Sequence, residues 1–254
     1  MYNRFCLTLL GFLSLGLVLG SKVQAATLIA NLGAINAADT LHSSVVVLFE
    51  PPTDEKVDNS RGGASRPADV KCIQDKAYSS PLTALMPQSG VGLTVASRPT
   101  LLVYVPVTTA TQVHLTMRDA TQGEVYQGWL PIPQIPQTGG IVSLTLPTDS
   151  PELTVGETYH WSLALLCQPA QTDLPIISGQ IRRVERSEDM ANEPHQSLLR
   201  QAVVYGQLGV WHDMLTSLST LRQTQPDNHA VEANWFELLQ VENLGAIATM
   251  PLLN

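Results

Sequence analysis

Basic residues are scarce in this chain. Only 14 Lys and Arg stand against 22 Asp and Glu in 254 residues, a formal charge of −8. They form no long basic run, which excludes the electropositive footprint that nucleic-acid binding requires. Charge of either sign is thin, at 14%, so Ser, Thr, Gln and Asn must cover much of the surface. Three cysteines cannot build a four-thiolate zinc site or a disulfide-dense scaffold. Seventeen Gly and seventeen Pro are too few for collagen or wholesale disorder.

Catalytic signatures are also missing. The nearest approach to a nucleophile elbow, Gly62-Gly63-Ala64-Ser65-Arg66, has no closing Gly and no strand leading into it. His42, His114, His160, His195, His212 and His229 fall into no His-x-His or His-Glu-x-x-His spacing, so no helix-borne zinc site is supported. Gly90-Val91-Gly92 lacks the third glycine and the βαβ setting of a dinucleotide site. No Gly-Lys-Ser/Thr occurs. The sequence therefore assigns no catalytic residue, no cofactor site and no metal set.

What is present begins with an export signal. Arg4 precedes an apolar run from Phe5 to Leu19, and Val23-Gln24-Ala25 closes it with a small-x-small end. The run is shorter than the roughly 20 residues of a span and is interrupted by Gly11 and Gly16, so it reads as a secretory signal over 1–25, cleaved after Ala25. Cleavage removes Arg4, Lys22 and Cys6 and no acid, leaving 229 residues with a charge of −10. The expected location is extracytoplasmic, periplasmic or secreted, with no membrane span after cleavage. In that oxidising compartment Cys72 and Cys167 are expected to form one disulfide.

Residues 26–43 show no period and read as an irregular arm. From Ser44 the pattern is that of short strands: Ser44–Glu50, Pro99–Val107, Val113–Met117, Glu124–Leu130, Ile141–Leu146, Thr158–Gln168 and Pro175–Val184. Pro81–Pro87 reads as a turn of helix. A stretch near 51–70 without apolar period predicts a mobile loop, in which Arg61 and Arg66 flank glycines as a candidate anion or partner contact. In Thr158–Gln168 one face carries Tyr159, Trp161, Leu163, Leu165 and Cys167, and the other His160, Ser162 and Ala164. With no long helix between strands, 44–187 is expected to be an immunoglobulin- or fibronectin-like antiparallel β-sandwich.

After a linker at Glu188–Pro194 the period becomes helical, and 195–254 is expected to be a small helical domain. The fold class is thus α+β, mainly β. Leu198, Ala202 and Tyr205 form one apolar stripe, and Trp211, Met214, Leu215, Leu218 and Leu221 another. A third helix carries Val231, Trp235, Leu238 and Leu239. Tyr205-xxx-Gly209-x-Trp211 with Pro226 is similar to the second half of a tetratricopeptide repeat, although Met214 stands where a small residue is expected and no second copy follows. The helical hairpin is expected to dock on the sandwich or on the Trp235 helix. His160 reads as an outward polar position and His212-Asp213 as surface charge. Glu185, Glu188 and Asp189 read as a solvated linker rather than a calcium site.

Taken in order, several segments resemble the cyanobacterial family catalogued as domain of unknown function 928. They are Arg61–Arg66 followed by Cys72, Leu82–Pro87, Pro99–Pro106, Gly140–Pro147, Gly156–Cys167, Gly179–Val184, Tyr205–Trp211 and Trp235–Leu239. The resemblance spans roughly 45–253. It implies an exported protein and carries over no activity and no catalytic residue.

Three functions follow as expectations. The first is a non-catalytic binding or scaffold protein of the cell envelope, whose partner is an envelope or secreted protein or a glycan, not nucleic acid. The second is a hydrolase or carbohydrate-active enzyme with a dispersed site, such as Glu124 with Asp173. The third is a carbohydrate-binding module using an exposed aromatic such as Trp129 before Pro131.

Overall fold

The structure, a computed structural model, describes residues 45–52, 80–166, 174–191 and 197–253. The signal, the arm, most of the loop near 51–70, Arg61, Arg66, Cys72, Cys167 and Asp173 lie outside them. The described chain is mainly β, with nine strands: β1 Thr83–Ala84, β2 Val91–Thr94, β3 Thr100–Val105, β4 Gln112–Arg118, β5 Glu124–Pro131, β6 Gly140–Thr145, β7 Thr158–Leu165, β8 Ile176–Arg183 and β9 Leu252–Leu253. Its helices are α1 Glu188–Ala191, α2 Leu198–Gln207, α3 Trp211–Thr224 and α4 His229–Val241.

The strands form two sheets, ordered β1-β3-β6-β9 and β2-β8-β7-β4-β5. Both are mixed. β2 pairs with β8 in parallel and β9 with β6 in parallel, where alternation alone led to an antiparallel arrangement. Parallel partners arrive from distant points of the chain, so short-range pattern cannot announce them.

Leu101, Val103 and Val105 of β3 meet Val113, Leu115 and Met117 of β4, and Tyr159, Trp161, Leu163 and Leu165 of β7, in one core between the sheets. The other side of β3 carries Leu102 and Tyr104, which join Ile141 and the apolar stripes of α2, α3 and α4 in a second core. The unbroken apolar run of β3 thus has a physical cause: it is covered on both faces. The result is three layers, with helices over the four-stranded sheet.

Two local features seat the helices. Gly209 at φ +70° ends α2, and Val210 N–H donates to the Tyr205 carbonyl at 2.8 Å while Gly209 N–H donates to Gly206 at 3.1 Å. This is a Schellman closure, which needs the left-handed glycine. Trp211 then points inward, its indole N–H donating to the Leu85 carbonyl at 2.8 Å.

Val45–Glu50 joins neither sheet, contrary to the expected strand. Its run of valines is held by a side chain instead of a strand. Val47 N–H donates to Asn234 Oδ1 at 2.6 Å, and Asn234 Nδ2 donates to the Val45 carbonyl at 2.8 Å. The amide imitates the peptide edge of a neighbouring strand. Farther on, Glu50 N–H donates to the Gly206 carbonyl at 3.0 Å, and the bare Cα of Gly206 lets the segment lie against α2. Pro81–Pro87, expected as a helical turn, instead supplies β1, which pairs with β3.

Candidate functional site

The helices cover the four-stranded sheet and, through α3, the edge strand β2 of the other, which is buried throughout; β5, β4, β7 and β8 present exposed and half-exposed side chains on their outer face. Pairing registers place its side chains in rows across the strands. One row is Trp129, His114, Ala164 and Ile176; the next is Gln127, Thr116, Ser162 and Ser178; a third is Glu124, Arg118, His160 and Gln180. With strands about 4.8 Å apart, four strands span roughly 15 Å.

Trp129 is the distinctive member. It is 47% exposed and rests on the His114 ring, centroids 4.5 Å apart and tilted by 55°. Gln127 Nε2 lies 3.3 Å from His114 Nε2, so the amide and imidazole brace each other beside the indole. Ile176 extends the apolar row at 51% exposure. Around this strip stand amide, hydroxyl, guanidinium and imidazole groups. Glu124 and His160 share a row but are two strands apart, roughly 10 Å, too far to pass a proton directly. The face has the makings of a binding platform rather than an acid–base pair. His160 points outward and is exposed, as its strand position indicated.

His212 and Asp213 correct the sequence reading, which placed them on the surface. Both are at the start of α3, which packs against β2, β3, α2 and α4 at once, so more of its circumference is buried than a single stripe implies. His212 is 2% exposed. Burial lowers its pKa from 6.5 to about 4, opposed by donation to the Thr100 carbonyl. Among the described residues Nε2 has no partner, so the donor is Nδ1 and the ring is neutral. The ring fits because residue 92 is glycine: a Cβ there would run into Nε2. Asp213 accepts from Thr94 Oγ1 at 2.8 Å and Val95 N–H at 3.1 Å. Burial raises its pKa, while those hydrogen bonds and Arg186 pull it back down. The pair adjoins a cleft of about 240 Å³. Yet the imidazole lone pair is sealed against β2 and the carboxylate ties the end of β2 to α3, so both positions serve packing.

The other expected groups do not converge. Glu185 and Glu188 are exposed, and among the described residues no three His, Cys, Asp or Glu side chains cluster as a metal site. Glu124 is exposed, and its suggested partner Asp173 lies outside the described residues, as do Arg61, Arg66, Cys72 and Cys167. No described helix is long and apolar enough to cross a membrane. The sequence pointed to Trp129 but not to its row. His114, Ala164 and Ile176 become neighbours only through registers linking four strands.

The architecture and its open platform define a mainly β protein of two mixed sheets with a helical cover. The chain belongs to the family described as Domain of Unknown Function (DUF928), whose model matches residues 61–252. No curated protein matches it. The solved structure of CopC from Methylosinus trichosporium OB3b is similar at 20% identity over 42% of this chain and 98% of that one, with a TM-score of 0.25. A superposition that loose carries no argument about fold or function.

Proposed function

We propose that this is an exported, non-catalytic binding protein of the cell envelope, and that it holds a polysaccharide on the outer face of the five-stranded sheet. The observation that carries the proposal is Trp129, 47% exposed and braced by His114 in a row flanked by hydrogen-bonding side chains. An indole face offers rigid apolar area at low entropic cost, suited to the CH-rich face of a sugar ring. Gln127, Thr116, Ser162, Arg118 and His160 supply donors and acceptors for hydroxyls. An open face about 15 Å across accommodates several rings of a chain, where a deep pocket would hold a single small sugar.

The signal over 1–25, the extracytoplasmic location and the Cys72–Cys167 disulfide belong to the same proposal. So do the immunoglobulin-like reading of the sandwich and the tetratricopeptide-like reading of the hairpin, since both architectures are commonly used for interaction. Export is supported by the apolar N-terminal segment with its small-x-small end.

The test uses the mature chain, residues 26–254, in affinity electrophoresis through gels containing xylan, soluble cellulose or mannan, and in pull-down with purified peptidoglycan sacculi. Retention by at least one polysaccharide is expected, and loss of retention on Trp129→Ala. If none of the four retains the protein, or the variant is retained equally, the glycan reading fails. Non-reducing peptide mass spectrometry checks the disulfide: free thiols at both Cys72 and Cys167 remove it.

A further inference from the structure

A second cleft lies where β1 and β8 meet the end of α4, bordering the open sheet face at Ser178. It holds about 540 Å³ and is lined in part by Leu82, Met86, Gln88, Ile177, Glu242 and Leu244. That volume falls within the usual range of small-molecule sites. Its walls present polar and apolar surface in about equal measure, and Glu242 is the one charged group among its lining residues.

Glu242 is placed where a carboxylate is least welcome. It caps the C-terminus of α4, whose last turn carries no basic residue, so it adds negative charge to the negative end of the helix dipole. It is 9% exposed. Its Oε2 accepts from Gln88 N–H at 2.8 Å, and Gln88 Nε2 donates to the Val241 carbonyl at 2.6 Å. Among the described residues no ion pair reaches it, and burial raises its pKa, opposed only by the Gln88 contact. A buried carboxylate normally has a cationic partner. Here the carboxylate lines the cleft.

We infer that the cleft is a binding site for an alkylammonium group, with the ammonium on the Glu242 carboxylate and the α4 end, and the alkyl stem along Leu82, Met86, Ile177 and Leu244. A free amine and a lysine side chain share that chemistry. The two surfaces adjoin at Ser178, which stands in an open-face row and also lines the cleft, but Trp129 takes no part in the cleft and Glu242 none in the open face.

Isothermal titration of the mature chain at pH 8 with 1,4-diaminobutane, butylamine, Nα-acetyl-lysine methylamide and, as control, butyrate tests it. At least one amine is expected to bind and butyrate not to. Binding by the lysine derivative but not the free amines identifies a lysine side chain as the ligand; the reverse identifies a free amine. Glu242→Gln keeps the acceptor for Gln88 but drops the charge, and is expected to weaken amine binding about tenfold or more while raising the unfolding temperature. No binding by any amine, equal binding by Glu242→Gln, or a lowered unfolding temperature in that variant would overturn the inference.

Discussion

The two outer faces of this molecule obey one rule and end differently. In β3, Leu102 and Tyr104 face the helices and are at most 2% exposed. In β4, the matching positions are His114, Thr116 and Arg118, which face out. Both strands send the alternate side chains into the shared core. An apolar second face carries a helical lid; the polar one is open except at its edge strand β2, which is buried. A large apolar group that survives on the open face, as Trp129 does, therefore has a different explanation from the tryptophans beneath the lid.

The sharpest way to break that comparison is to remove a tryptophan from the covered face. Trp211 is 0% exposed, packs edge-on against Phe49 with centroids 4.8 Å apart, and satisfies the Leu85 carbonyl. Trp211→Ala should cost about 3–5 kcal/mol, a large share of the stability of a domain this size. Urea denaturation at pH 7 measures it. A cost under about 1 kcal/mol would mean that the helices are not integral to the fold.

Next in size is the acid response of the covered side. The folded His212 stays neutral down to about pH 4, whereas the unfolded residue takes a proton near 6.5. Between those values the unfolded state binds more protons, so stability is lost as pH falls through the window, by up to about 3 kcal/mol. Asp213 and Glu242 act oppositely. Their folded pKa values are raised, so they bind protons earlier when folded and return part of the loss. His212→Gln should flatten the decline between pH 6.5 and 4.5 in urea titrations. Parallel curves for the two proteins would show that His212 is not the acid-sensitive group.

A smaller effect separates the valine segment from the sheets it was expected to join. Asn234→Ala removes both hydrogen bonds to Val45–Val47 and should cost about 1–3 kcal/mol. Exchange of the Val47 amide should rise far more than that of β3 amides. Uniform acceleration would mean that the segment opens only with the whole fold.

The legibility of the molecule follows the same division between local and long-range causes. β4, β7 and the helices were readable because their periods are local: Tyr159, Trp161, Leu163 and Leu165 alternate, and Trp211, Met214, Leu215 and Leu218 share a stripe. β2 was not, being four residues with a glycine, completed by parallel pairing with β8. Val45–Glu50 looked like a strand because β-branched runs favour extended backbone; that its partner is an amide 187 residues away has no trace in a window. The same holds for the sites. Trp129 could be singled out, but its row depends on the registers of β4, β7 and β8. Burial of His212 depends on how many elements surround α3. Glu242 faces β1 and β8 from the far end of the chain.

The smallest expected effect is the one that most sharpens the contrast. Trp129→Ala should change stability by no more than about 0.5 kcal/mol, the usual range for exposed positions, because its ring touches His114 and solvent rather than a core. The same substitution at Trp211 is expected to cost several times more. If Trp129→Ala also abolishes polysaccharide retention, binding and folding will have been assigned to opposite outer faces by one residue type. A stability loss near that of Trp211→Ala would instead mean that Trp129 is part of the folding core, and it would lose its claim as a platform.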